Sequence, residues 1–471
     1  MSNTIRILRT ASLVAVWCTA LPMRADAQLA AGTTPPTREV LAARIDSVVR
    51  TDILPRGFPS VSIVVARRGQ LLFEGAWGVA NITTKQKAAS STTYNIGSMA
   101  KQFTATLVLK LVDRRQLALT DSVGRHLKGL RAEWNAISIE QLLNHTSGLA
   151  RDYTHSGDPT ANVTGDALIA MAAADSLVSK PGTAYAYSNT GYLLLAVLVE
   201  KLHGKPYRIV LRDEIARPLA LASLGWCDDS ASAATGYLRL SDGNATLRGD
   251  VHASQNLGAS SICASARDIA TWNSALHGGR VLSAASYTAM TTTRGGATGK
   301  YGFGLAPRMA PWGSPAIVHD GQDNGFSSHN GWFPAESLSV TLLYNALPRL
   351  EANMADFIGA IALGRTPRPI PPMPVIALPV AATQGEGRPK FVGAYEIGAG
   401  RMFIVTYEEG SLHLTPPGAK RQQLYLQSGT VYRLGNGDAE TTVTFNVNAD
   451  GTVSGFTARD NGVDRVLPKV K

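Results

Sequence analysis

The sequence predicts an α+β protein: one antiparallel sheet flanked by helices, a helical subdomain beside it, and a small all-β domain after it. Three observations point there. Short apolar, β-branched runs lie towards both ends of residues 28–365, helical stretches fill the middle of that span, and a proline-rich break separates it from a β-rich C-terminal segment.

In chain order, Arg6 and Arg9 precede an uncharged stretch from Thr10 to Met23 and then Ala25-Asp26-Ala27. That is the layout of a secretory leader with a small-x-small cleavage site, so residues 1–27 are expected to be removed and the protein exported, periplasmic or extracellular. The apolar run is too short for a bilayer and Pro22 interrupts it, so no stable membrane anchor is expected. Next, Val61–Ala66, a turn at Arg68-Gly69, and Leu71–Gly75 read as a hairpin. Helices are predicted near 98–115, 190–203 and 264–277, and late strands at Ala316–Val318 and Ser339–Tyr344. Residues 366–389 carry prolines at 367, 369, 371, 372, 374, 379 and 389, a linker composition. The alternating runs Met402–Val405, Leu412–Leu414 and Val443–Val447 mark residues 390–471 as the all-β domain.

A chain of 471 residues, 45% of them hydrophobic, buries a full core. Its net charge of +10 falls to about +8 once Arg6, Arg9, Arg24 and Asp26 leave with the leader. That excess is spread along the chain rather than gathered into a basic run, which argues against a nucleic-acid partner. Without Cys18 only Cys227 and Cys263 remain, and whether they pair is not readable from spacing. There is no CxxC or HExxH cluster, so no metal is expected, and no cofactor is called for.

The strongest chemical signal is Gly97-Ser98-Met99-Ala100-Lys101. Serine and lysine three apart share a helix face, which brings an amine to a hydroxyl without loop rearrangement. The apolar stretch Phe103–Leu109 behind them predicts burial, and burial lowers a lysine's proton affinity until it can act as a base. The alternative is an ordinary helix cap followed by a surface lysine. Against it, Lys101 is the only lysine with a serine three residues before it. The second signal is Tyr187-Ser188-Asn189: a phenol beside a lysine can pass protons, and the Asn189 amide can meet a substrate or Lys101. Asn189 taken alone is equally a helix cap. The third is His319-Asp320-Gly321. His-x-Gly also occurs at His155, His277 and His329, but only His319 ends an apolar strand before a glycine-bearing bend, and His329 reads as a surface residue.

Ser-x-x-Lys, Tyr-x-Asn and His-x-Gly in this order and at this wide spacing resemble the penicillin-recognising serine hydrolases: class C β-lactamases, D-Ala-D-Ala carboxypeptidases, D-aminopeptidases and related esterases. The segments Ile139–Leu149 and Gly258–Ala270 are similar to further family segments, and the resemblance covers roughly residues 40–365. It implies Ser98 as nucleophile, Lys101 and Tyr187 as the proton-handling pair, and Asn189 as a substrate contact. It also implies His319, Gly321 and Gln322 on the strand side of the cleft, with the Ser98 and Gln322 amides as oxyanion donors. Class C β-lactamases usually carry lysine where this chain has His319, so efficient β-lactam hydrolysis is not expected. The imidazole is expected to charge near a pH of about 6.5 and then to favour carboxylate-bearing substrates. The implied activity is hydrolysis of an amide or ester in a small molecule or peptide, most of all a peptide containing D-amino acids. The alternatives are a β-lactamase and a penicillin-binding sensor that acylates without turnover. Oligomeric state is left open.

Overall fold

The computed structural model describes residues 34–370 and 389–470, apart from 154–159, 231–232, 240–244, 248–251, 295–299, 324, 348, 351–352, 398–401, 409–410, 416–421, 435–441 and 461–462. The predicted leader and most of the proline-rich stretch therefore lie outside the described residues.

The predicted hairpin is β1 (Ser60–Arg67) and β2 (Gln70–Asn81), joined through Arg68 and Gly69 at φ 51° and 74°. Two successive positive φ values match the right-handed twist of the strands they connect. A short β3 (Gln86–Lys87) follows. The late strands are β4 (Ala306–Met309), β5 (Pro315–Asp323), β6 (Phe326–Phe333) and β7 (Leu338–Tyr344). The sheet order is β3-β2-β1-β7-β6-β5-β4, antiparallel at every described pairing. Strands from the two ends of the domain thus meet at its centre, where Val61 pairs with Tyr344 and Val65 with Val340.

Both faces of β1 are covered, as the alternation of side chains requires. Val61, Ile63 and Val65 pack with Leu41 and Ile45 of α1 (Arg38–Val48), a pair one helical turn apart, and with Ile358 of the late helix Met354–Ala362. Val64 faces the other core with Met99, Phe103 and Leu107. That second core contains α2 (Ala100–Asp113), α3 (Ile139–Leu143), α4 (Asn189–His203) and α5 (Ala266–His277). Each start has a local cause: Ser138 and Gln141 form a capping box on α3, Ser188 accepts from the Gly191 amide on α4, and Ser265 accepts from the Asp268 amide on α5. Helix α2 is buried at every position from Ala100 to Leu109, so it is a core helix whose side chains, Lys101 included, are out of water.

One expectation changes. Beyond the glycine-bearing bend after His319, residues 326–333 form the fully paired strand β6. His329 on it is buried at 1% exposure with Nδ1 3.2 Å from Asp320 Oδ1, so it is an interior residue and not a surface one. Cys227 and Cys263 are joined as a disulfide. The C-terminal region forms eight sequential antiparallel strands from Gly393–Glu396 to Val463–Pro468 around Tyr395, Phe445, Phe456 and Leu467. A bridge between Tyr395 and Lys469 and a bond from the Val470 amide to the Ala394 carbonyl join its first strand to its last. Among the described residues no helix is long and apolar enough to cross a membrane.

Candidate active site

Ser98 lies on the turn Gly97–Met99 that leads into α2, half-buried between two fully buried neighbours. Gly97 adopts φ 55°, and a Cβ there would fall 2.5 Å from the Gln322 amide nitrogen. A Cβ on Gly321 would fall 2.0 Å from the Ile96 carbonyl oxygen. The two glycines therefore let the serine turn press against β5, which is a steric necessity rather than a preference. The junction brings the residue before Ser98 against the Gln322 amide. Strand β4 pairs with β5 only from Pro315 to Val318, so residues 319–323 present an edge that β4 does not cover.

Lys101 is fully buried, one turn after Ser98. Its Nζ is 3.1 Å from Ser98 Oγ, 2.7 Å from Asn189 Oδ1 and 2.8 Å from the Ala259 carbonyl oxygen. A neutral amine has two N–H bonds and one lone pair. Two of the three contacts are oxygens that can only accept, so in the neutral form the lone pair is left for the Ser98 hydroxyl. Burial lowers the Lys101 pKa to about 7, with the Arg151 charge acting the same way and Asp152 and Asp323 opposing. An amine poised there can take the Ser98 proton near neutrality.

Tyr187, immediately before the Ser188 cap, has its ring centroid 5.0 Å from Lys101 Nζ, and the Ser98 side chain is near enough to lower its phenol pKa. Burial pushes its phenol upward and the Ser98 side chain opposes this only in part, so Tyr187 keeps its proton and can act as a donor. Asn189 donates from Nδ2 to Asp152 Oδ1 at 2.5 Å, which turns its Oδ1 toward Lys101. The segment is fixed by backbone bonds: the Asn189 amide donates to the Arg151 carbonyl at 2.6 Å and Ala186 to His145 at 2.8 Å.

On the strand side, His319 is buried at 6% exposure. Its Nδ1 lies 2.7 Å from the Asp320 carbonyl, an acceptor, so Nδ1 carries the proton and Nε2 accepts from the Tyr301 hydroxyl at 2.7 Å. Burial, helped by the nearby Lys101 charge and only partly opposed by Asp320, lowers its pKa to about 4. This corrects the expectation that it charges near neutrality: both ring nitrogens are engaged and the imidazole is neutral. His145 is also buried, accepts at Nδ1 from the Ser188 amide at 3.1 Å, and lies 4.2 Å from the Tyr187 ring and 4.5 Å from that of Tyr301.

All seven residues singled out by sequence thus converge on one cleft. Ser98, Lys101 and Asn189 are joined by hydrogen bonds, the Tyr187 ring lies against Lys101, Gly321 and Gln322 abut the serine turn, and His319 stands behind Tyr301. What sequence reasoning missed are the Ala259 carbonyl, Arg151, Asp152, His145 and Tyr301. Ala259 and His145 fall within the segments that carried the family resemblance, but nothing in their residue type announces a role.

Residues 44–363 match the family model described as Beta-lactamase. Penicillin-binding protein 4* of Bacillus subtilis (strain 168) is 26% identical over 398 residues, covering 79% of this chain and 87% of its own. Protein flp of Staphylococcus aureus (strain MW2) is 30% identical over 184 residues, 38% of this chain. The match spans only 37% of the length of Protein flp. Among solved structures, a D-stereospecific amidohydrolase from Streptomyces sp. superposes with a TM-score of 0.56 at 25% identity, covering 66% of this chain and 95% of that one.

Proposed function

The chain belongs to the Beta-lactamase family and is a serine hydrolase of that kind, and we propose that it cleaves an amide or ester of a D-amino-acid-containing peptide through an acyl-enzyme on Ser98. The observation that carries this reading is the Lys101 amine, with its N–H groups held by two carbonyl oxygens and its lone pair on Ser98 Oγ at 3.1 Å. Ser98 Oγ bonds to the substrate carbonyl carbon while its proton passes to Lys101. The developing oxyanion is met by the Ser98 and Gln322 amides. As the C–N or C–O bond breaks, Tyr187 hands its proton to the leaving group and takes in its place the proton that Lys101 received from Ser98. Water, deprotonated by the same pair, then releases the acyl group and restores Ser98.

The printed name of the Streptomyces neighbour supports the choice of D-configured substrates. The neutral His319 argues against strong recognition of a β-lactam carboxylate on the strand side. The predicted leader and the Cys227–Cys263 disulfide support an oxidising, exported setting for the protein. The proline-rich stretch supports a boundary between the hydrolase domain, residues 28–365, and the β-rich domain from 390 onward. The deciding experiment incubates the protein with matched D- and L-amino-acid amides and a chromogenic cephalosporin, and weighs the intact protein. Turnover of the D-amide with an adduct on Ser98 is the expected result. An adduct elsewhere removes the nucleophile assignment, and faster cephalosporin hydrolysis makes the protein a β-lactamase.

A further inference from the structure

Among the described residues four basic side chains stand out in or beside this cleft, and three are already committed. Lys101 is buried and occupied by Ser98, Asn189 and Ala259. His319 is neutral and covered by Tyr301. Arg349 is paired with Asp320 at 3.0 Å. The fourth, Arg151, is different. Its guanidinium carbon is 4.9 Å from the centroid of the Tyr187 ring, and its side chain is 48% exposed. The nearest carboxylate, Asp152, approaches Nε only to 3.8 Å and accepts from Asn189 with its other oxygen at 2.5 Å. Among the described residues the guanidinium makes no hydrogen bond. Its backbone is nonetheless fixed, because the Arg151 carbonyl accepts from the Asn189 amide at 2.6 Å.

From this geometry we propose that Arg151 is a specificity-determining residue whose guanidinium, laid on the ring of Tyr187 at the mouth of the site, binds a carboxylate borne by the substrate. Stacking on an aromatic face holds the planar fork in one orientation and leaves its N–H edge for a bidentate partner. The same Tyr187 ring lies 5.0 Å from Lys101 Nζ, which is 3.1 Å from Ser98 Oγ, so an anion held on Arg151 lies near the reacting atoms. The carboxylate that the sequence assigned to His319 is thereby received on the opposite side of the cleft. This inference rests on the reading of Ser98 as nucleophile.

The test compares two esters of equal length, 4-nitrophenyl hexanoate and the mono-4-nitrophenyl ester of adipic acid, which differ by a terminal carboxylate. With the wild-type protein the ratio of kcat/KM for the acid over the neutral ester is expected to fall as salt is raised. In Arg151→Gln that ratio is expected to drop about tenfold or more, the value of one charge-assisted hydrogen bond. Arg151→Lys should restore part of it. Arg151 also favours the neutral form of Lys101, so its loss slows both esters near neutrality, and the ratio cancels that common effect. An unchanged ratio in Arg151→Gln overturns the proposal even if both rates fall. If the wild type turns over neither ester and Ser98 stays unacylated, the nucleophile reading has failed, and this one with it.

Discussion

The two walls of the cleft put similar burial to different use. On the helical wall Lys101 is out of water, yet Asp152 and Asp323 draw its proton affinity back up, and it settles at about 7. On the strand wall His319 is also enclosed, Asp320 opposes the shift only in part, and it settles at about 4. One group therefore changes charge in the neutral range and the other does not. In the mechanism proposed above, the helical wall contributes the side chains that move protons. The strand wall contributes backbone: an amide at Gln322 and the room made by Gly321. Burial pulls both groups down; an amine that ordinarily titrates at about 10.4 then lands in the neutral range, whereas an imidazole that ordinarily titrates at about 6.5 leaves it.

The sharpest way to break this division is to remove the atom both walls serve. Ser98→Ala is expected to abolish covalent labelling and lower turnover about a thousandfold or more, read by intact mass and steady-state rates. Labelling that persists would move the site elsewhere. Next in size is a purely steric change to the strand wall. Gly321→Ala sets a methyl 2.0 Å from the Ile96 carbonyl and must part the two walls. A displacement on that scale is expected to cost about a hundredfold in kcat/KM while the far-ultraviolet circular dichroism is kept. Activity near wild type would mean that the serine turn does not depend on this contact.

The division also predicts a pH signature. Protonated below about 7, Lys101 loses the lone pair that faces Ser98, so kcat/KM should fall on the acid side with a midpoint there. Asp152→Asn removes a charge that raises the Lys101 pKa, so the midpoint should move to lower pH. His319→Gln should leave it in place. A midpoint that follows His319 would exchange the roles of the two walls. The smallest effect is expected from Tyr301→Phe, which deletes the hydroxyl on His319 Nε2. Burial remains the larger cause of the low His319 pKa, so an NMR titration should find the ring still neutral at pH 7, with kcat/KM within about threefold of wild type. A ring that charges near pH 6.5 would show the hydroxyl, and not burial, to be decisive.

The helical wall was far more legible in the sequence than the strand wall. Ser98 and Lys101 are three apart on a helix, and Tyr187 is the only tyrosine with an asparagine two residues on, so spacing and uniqueness identified them. The hairpin and the three predicted helices follow from alternation and apolar runs, and each is present. Strand β6 hid because its interior residues are polar. Ser328 donates to the Ile96 carbonyl at 2.9 Å, and Asn330 exchanges bonds with Asn273 and accepts from Thr341. A buried strand satisfied by side-chain partners reads, residue by residue, as a loop. The Ala259 carbonyl was invisible for a simpler reason, since every residue has one. The charge state of His319 required knowing what surrounds it.

The stretch of β5 beyond Val318 has a consequence for solubility as well as for chemistry. An unpaired strand edge is a template on which a second chain can align and start an aggregate. Here the Gly97–Met99 turn sits against that edge so closely that neither Gly97 nor Gly321 has room for a Cβ. At the far side of the sheet the edge is β3, two exposed residues long and ending in Lys87, a length and a charge that discourage pairing. The glycines that let the serine turn press against β5 therefore also hinder a neighbouring sheet. A bulky residue at either position should be judged by its tendency to self-associate as much as by its rate.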